Sequence, residues 1–303
     1  MDTFSKPRAI GLGMSGAVYA LSNCVVVKLP RLNKTDYSDE GFNEEQEHVS
    51  TLLGGASGWG RQSPCPYLVP YLYQVPQKAT FMMRAKTDLR DVLHYDYVPD
   101  IERTTRWMGQ LCGGIAFLER LDVVHGDLRP DNVLVDSNGN LRLSDFGCSM
   151  LPIGEEHFGI SEPFGRQLGP AEGVAVDCYN YGTVGPRTEN FALGSIYYSL
   201  LRGHYPYEKE KHEGKVLRKL LSLKQFPELG AFPGPDQVIA RCWEGNYYKS
   251  VAQLEKVFRE MKDGTEWYRF DLEATSWLAA QREACAEWTF AGNLDELLAN
   301  RRM

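Results

Sequence analysis

The chain has 303 residues, 43% of them apolar, enough to bury one large core or two modest ones, and no part of it is low-complexity. Its formal charge of -7 is spread along the sequence without a lysine or arginine run, which argues against nucleic acid or an anionic membrane surface as partner. Seven cysteines, scattered singly and without CxxC spacing, predict neither a disulfide framework nor a zinc site and fit a reducing compartment, cytoplasmic or nuclear. No signal peptide or transmembrane segment is expected, because no stretch approaches the ~18 to 20 continuous apolar residues that cross a bilayer.

Short β-rich runs come first, at 10–13, 17–21 and, after a Ser22-Asn23 turn, 24–29; they read as a β-meander. Over 39–53 an acidic opening and the apolar positions Phe42, Val49, Leu52 and Leu53 predict a helix stopped by Gly54-Gly55, with a Gly/Ser/Pro-rich loop to Pro66. Runs at 67–75 and 79–83 complete a small sheet, and a mainly helical region opens at 88–93. Asp100 caps a long helix whose apolar stripe is Ile101, Met108, Leu111, Ile115, Leu118 and Leu121. Strands at 133–135 and 141–143 are joined through Ser137-Asn138-Gly139, a hairpin signal, and further helices are predicted at 189–201, 215–223 and 251–261. The tail from Thr265 carries Trp267, Trp277 and Trp288 and reads as extra helices covering the helical region.

Gly11-Leu12-Gly13-Met14-Ser15-Gly16-Ala17-Val18 fits GxGxxGxV, in which backbone N–H groups reach phosphate oxygens where no Cβ intervenes. A dinucleotide-binding fold would open a helix at the third glycine; here 17–21 continues as a strand, so that reading fails. Lys28 closes the apolar run Val25-Val26-Val27 one hairpin later. Further on stand His125-Gly126-Asp127-Leu128-Arg129-Pro130-Asp131-Asn132 and, after the hairpin, Asp145-Phe146-Gly147. Each element alone could be a solvated charge or a shaped turn; their order and spacing together are hard to assemble by chance.

Across about 10–261 the set resembles the eukaryotic protein kinase superfamily. The resemblance implies an α+β, bilobal protein-kinase-like fold with a small antiparallel β-sheet N-lobe bearing one helix and a larger, mainly helical C-lobe. The kinase domain would span 1–264, with lobes at about 1–84 and 85–264, and 265–303 would be a helical extension. It implies ATP and Mg²⁺ as cofactors and a protein substrate, with a monomer expected. Asp127 would orient the substrate hydroxyl, Arg129 would keep a positive charge near the γ-phosphate, and Asn132 and Asp145 would be metal ligands. Lys28 would bind phosphate oxygens and pair with a glutamate of the following helix. Glu44, Glu45 and Glu47 compete for that place, and Glu45, just off the inward stripe of Val49 and Leu52, is the choice. The nucleotide site would comprise Ile10, Gly11, Gly13, Gly16, Val18, Val26, Lys28, Met83, Ala85 and Leu134.

The chain departs from the family at several points. Gly126 replaces an arginine that usually pairs with a phosphorylated loop, and the only hydroxyls between Asp145 and Glu172 are Ser149 and Ser161, so a loop competent without phosphorylation is expected. Arg129 stands in place of lysine, and Glu189 in place of an aspartate that braces the catalytic loop. Pro170-Ala171-Glu172 permutes the element that ends the activation segment, and no arginine partner for its glutamate is evident after Cys242-Trp243. Pro130 favours serine/threonine over tyrosine specificity. The HGDxxxxN form also occurs in small-molecule phosphotransferases of the aminoglycoside and choline kinase type, and a pseudokinase scaffold is a further alternative.

Overall fold

A computed structural model describes residues 4–13, 16–31, 36–52, 65–95, 97–149, 153–154, 161–176, 178–261 and 272–300. The chain divides into two compact units, one built from Met1–Lys86, Asp145–Gly147 and Arg269–Met303, the other from Thr87–Ser144 and Cys148–Tyr268. The fold class is α+β, as the resemblance implies.

The first unit is a five-stranded antiparallel sheet in the order β1-β2-β3-β5-β4, from β1 (Arg8–Leu12), β2 (Gly16–Ala20), β3 (Val25–Pro30), β4 (Tyr71–Val75) and β5 (Ala79–Met83). The β-branched run of β3 makes it the buried central strand, with Val26 opposite Met82 and Lys28 opposite Thr80. Because side chains alternate, Val26, Lys28, Thr80 and Met82 share one face, while Val25, Val27 and Phe81 join the core on the other. Helix α1 (Asp36–Leu52) covers the expected helix, with Phe42 and Val49 buried; Leu53, Gly54-Gly55 and the loop to residue 64 lie outside the described residues.

That second face is closed by the carboxy-terminal helices at Leu272–Phe290 and Asn293–Asn300, whose Leu278, Cys285 and Leu294 are buried with Leu72 and Phe81. Trp288 stands edge-on to Phe81 at 5.9 Å and to Phe4 at 6.1 Å. The tail therefore belongs to the sheet unit, and Trp277 and Trp288 pack there instead of over the helical region; Trp267 lies outside the described residues. Composition signalled an apolar helix but carried no information about which surface it would meet.

In the second unit, β6 (Thr87–Asp88) leads into α2 (Leu89–His94) and then α3 (Ile101–Arg120). Asp100 caps α3 by accepting from the Arg103 N–H at 2.7 Å. Met108, Leu111, Ile115 and Leu118 are buried as predicted, whereas Ile101 and Leu121, at the two ends of the stripe, are exposed. Strands β7 (Val133–Val135) and β8 (Leu141–Leu143) form the expected hairpin, with Gly139 at φ +74° in its turn.

Helix α4 (Pro186–Arg202) is buried around its whole circumference from Thr188 to Leu201, as a helix at the centre of a helical unit must be. A Cβ at Gly194 would stand 2.6 Å from the Cys242 Cβ, so glycine there sets how closely α4 meets α6 (Pro233–Glu244). Helix α6 was absent from the sequence expectation because Pro233-Gly234-Pro235 reads as a loop. In the first turn, however, the N–H groups have no intrahelical partner, and proline loses nothing. Two further helices, α5 (Gly214–Ser222) and α7 (Val251–Met261), complete the unit close to their predicted places. Among the described residues no helix is long and apolar enough to cross a membrane.

Candidate active site

Two groups of the predicted residues assemble, one within each unit. In the sheet unit, Lys28 Nζ forms a salt bridge with Glu45 and another with Asp145 Oδ1 at 3.1 Å. Glu45 is 4% exposed, whereas Glu44 and Glu47 face solvent, so the geometry selects among the three candidates. Burial by itself pushes the Lys28 ammonium down, but the Glu45 and Asp145 carboxylates outweigh it and hold the group above its ordinary value. Lys28 is thus fixed as a cation.

Gly16 makes that position possible: a Cβ there would lie 2.7 Å from the Leu29 carbonyl oxygen and 3.1 Å from the Lys28 stem. Gly11 and Gly13 differ, since a Cβ on either would meet nothing nearer than 3.6 Å. Among the described residues no packing demands glycine at those two positions, which leaves their backbone open toward the described surroundings. Met14 and Ser15, between Gly13 and Gly16, lie outside the described residues.

Asp145 adopts φ +62°, a left-handed conformation that aspartate tolerates better than most residues, and next to it Phe146 is fully buried against Tyr71. His48 Nδ1 donates to the Phe146 carbonyl at 3.0 Å, tying this segment to α1. Sequence reasoning missed His48, which no motif marks. Met83, expected beside the nucleotide, turns its side chain into the core with Phe81; Met82 shares the face of Lys28 instead, a consequence of strand alternation. Val26 is buried on that same face, Val18 and Ala85 are half-buried, and Ile10 is exposed.

In the helical unit, Asn132 Nδ2 donates to the Asp127 carbonyl at 2.8 Å and to Asp127 Oδ2 at 2.9 Å. The amide nitrogen is spent on Asp127, leaving the amide oxygen as the atom suited to a hard cation. His125 is fully buried; its Nε2 donates to the Ser144 carbonyl at 3.0 Å and its Nδ1 accepts from the Asp127 N–H at 3.4 Å, one consistent neutral tautomer. Arg129 is held bidentately on Asp131, with both contacts at 3.0 Å, and donates to Ser161 Oγ at 3.1 Å. Leu134 is half-buried on β7.

Gly126 has φ +81°, and a Cβ there would stand 2.1 Å from the Cys148 carbonyl oxygen, so no arginine fits at this position. Its N–H, with that of His125, is taken by Glu189, which braces the loop as its family position implies. Glu172 finds its partners in Arg166 at 2.6 Å and Lys224 at 2.8 Å, neither of which the sequence suggested. Burial works against the Glu172 charge, but those two cations and the Gly169 N–H bring its carboxyl down to about 2.

The family model for the protein kinase domain matches residues 4–242. The chain is similar to G protein-coupled receptor kinase 2 of Caenorhabditis elegans, 26% identical over 241 residues, 76% of this chain and 32% of that protein. It is likewise similar to dual specificity protein kinase shkD of Dictyostelium discoideum, 26% identical over 82% of this chain and 33% of that protein. With CBL-interacting protein kinase 17 of Oryza sativa subsp. japonica the identity is 35% over 34% of this chain and 22% of that protein. The chain spans a third or less of the length of these relatives. On the match to most of its length, the chain belongs to the protein kinase domain family.

Proposed function

We propose that the chain is an ATP-dependent protein kinase that transfers the γ-phosphate to a serine or threonine hydroxyl of a protein substrate. The observation that carries this reading is the Lys28 ammonium held between the Glu45 and Asp145 carboxylates, an arrangement costly to bury and suited to aiming a cation at a polyphosphate. Lys28 and the backbone at Gly11 and Gly13 bind phosphate oxygens; Val18, Val26, Ala85 and Leu134 offer apolar surface to the base, with Ile10 at its edge. Met82, on the face of Lys28, takes the place expected of Met83.

Asn132 and Asp145 are the residues that would hold Mg²⁺, an oxygen-donor set that fits this ion. Among the described residues no cluster of three or more His, Cys, Asp or Glu side chains is arranged to hold a metal, so the remaining ligands would be phosphate and water. When bound, Mg-ATP supplies the phosphoryl group and neutralises charge on it. Asp127, oriented by the Asn132 amide, accepts the proton of the substrate hydroxyl, and Arg129 keeps a positive charge beside it.

Pro130 supports serine/threonine specificity by family analogy. Ser149 and Ser161 already donate to or accept from the catalytic loop, through the His125 carbonyl and Arg129, which supports a loop competent without phosphorylation. A monomer acting in the cytoplasm or nucleus completes the proposal.

The test uses labelled ATP and Mg²⁺ with generic protein substrates and an amino-alcohol panel, comparing wild type with Asp127→Asn. Label on protein serine or threonine that disappears in the variant is expected. Label on amino alcohols alone would select a small-molecule phosphotransferase, and none at all a pseudokinase. Abolition of activity by phosphatase treatment would remove the claim of phosphorylation-independent competence.

A further inference from the structure

A cavity of about 370 Å³ lies in the helical unit between α2 and the turn that follows α4. Arg90, Asp91 and Tyr95 line it on one side, Tyr205 and Glu208 on the other. Its volume stands near the lower end for ligand pockets, room for one or two side chains. The mouth is open: Asp91 keeps 46% of its side chain exposed, and Tyr95 is 71% exposed.

Both walls are fixed from behind. Leu89 and Leu93 anchor α2 in the core, and Asp88 caps that helix by accepting from the Asp91 N–H at 2.8 Å. Across the cavity Gly203 ends α4 at φ +71°, and Glu208 Oε2 accepts from the Tyr205 N–H at 2.6 Å, which ties the turn together. The one guanidinium in the lining is committed, since Arg90 donates to Asp131 Oδ1 at 2.7 Å and stands 3.7 Å from Asp88. The lining carboxylates keep acceptors free. Arg90 Nε stays 3.6 Å from Asp91, beyond a hydrogen bond, and among the described residues neither the Asp91 carboxylate nor Glu208 Oε1 accepts one.

We propose that this cavity takes an arginine or lysine side chain of the protein substrate, with Asp91 and Glu208 as specificity-determining residues. A cation entering between the walls meets a carboxylate from each, and Tyr95 and Tyr205 offer aromatic surface to its charge and its apolar stem. The cavity adjoins the catalytic loop, because the Asp131 carboxylate that holds Arg90 also holds Arg129. A polypeptide with its hydroxyl at Asp127 reaches it through a residue a few positions away. The role in substrate choice rests on the phosphotransfer reading above, whereas the binding of a basic side chain does not.

Fluorescent peptides with alanine at the acceptor position read binding without turnover. A single arginine, glutamine or glutamate is placed in turn at each neighbouring position, and anisotropy compares the full wild-type chain with Asp91→Asn, Glu208→Gln and the double variant. Thermal midpoints check that each is folded. At one position arginine should bind about tenfold tighter than glutamine, on the scale of a charge-assisted hydrogen bond, and in the double variant the two should agree within about twofold. Equal binding of arginine and glutamine at every position overturns the proposal. So does tighter binding of glutamate, or an arginine preference that the double variant keeps. The matching serine peptides with labelled ATP separate the two readings: an arginine preference in binding with no label on any peptide supports the basic-side-chain site and overturns the phosphotransfer reading alone.

Discussion

Gly126 donates its backbone N–H to Glu189 Oε1 at 3.3 Å, so a carboxylate from α4 holds the catalytic loop at the residue before Asp127. Burial drives the Glu189 carboxyl up to about 7, against the opposing hydrogen bonds from Gly126 and His125. In the unfolded chain the same group ionises near its ordinary value, so between the two values the native state binds more protons. The stabilising contribution is complete below the unfolded value and is lost as pH rises through about 7, by a few kcal/mol in all. Denaturant midpoints measured from pH 5 to 8 should therefore fall more steeply for wild type than for Glu189→Gln. Parallel curves would show that Glu189 does not titrate in this range.

Lys28 and Glu45 are both shielded from solvent, and removing one strands the other. Lys28→Met should cost about 3 kcal/mol of stability, because the Glu45 carboxylate stays buried and loses its main partner. Lys28→Met combined with Glu45→Met removes both charges and should recover most of that loss without restoring ATP binding. A denaturation cycle read beside nucleotide titration checks this. Additive losses in the double variant would mean that the pair is not energetically coupled.

What the sequence made legible was local. The Val25-Val26-Val27 run, the Asp100 cap and the Asn138-Gly139 turn each specify conformation within a few residues, and the strands and helices stand where those signals put them. The family motifs were legible because they are contiguous, which made Asp127, Asn132 and Asp145 candidates without coordinates. Pairings chosen by tertiary packing were not. Glu172 draws on Arg166 and Lys224, and His48 meets Phe146, through distances in space that no spacing rule encodes. Met82 and Met83 show a sharper limit, since a shift of one residue along a strand exchanges the two faces of the sheet.

Gln46, next to Glu45 on α1, is 7% exposed and makes four polar contacts with the hairpin between β4 and β5. Its Nε2 shares two hydrogens among the carbonyls of Val75 and Ala79 and Thr80 Oγ1, and its Oε1 accepts from the Gln77 N–H. These contacts fix the rotation and height of α1 against the sheet, and so the position from which Glu45 reaches Lys28. Gln46→Leu should destabilise the protein by about 2 kcal/mol through the stranded backbone groups and should weaken ATP binding. Gln74→Ala, which removes one bond to the Gln46 carbonyl, should cost about 1 kcal/mol or less and serves as the control. Unchanged nucleotide affinity in folded Gln46→Leu would show that α1 is positioned by other contacts.

The carboxy-terminal helices should be indispensable to the sheet unit, because Leu278, Cys285 and Leu294 close the face formed by Leu72 and Phe81. A chain ending before Leu272 would leave those side chains in water, where each large apolar group costs on the order of 2 kcal/mol. Such a chain should aggregate or unfold well below the wild-type temperature. Trp288→Ala is the milder test: the indole is half-buried against Phe81 and Phe4, so its loss should cost about 2 kcal/mol, below the range for a fully buried tryptophan. Urea denaturation followed by circular dichroism measures both variants. A shortened chain with the full-length midpoint would mean that the tail merely rests on the sheet, whereas coupled losses make it part of the core that supports Lys28.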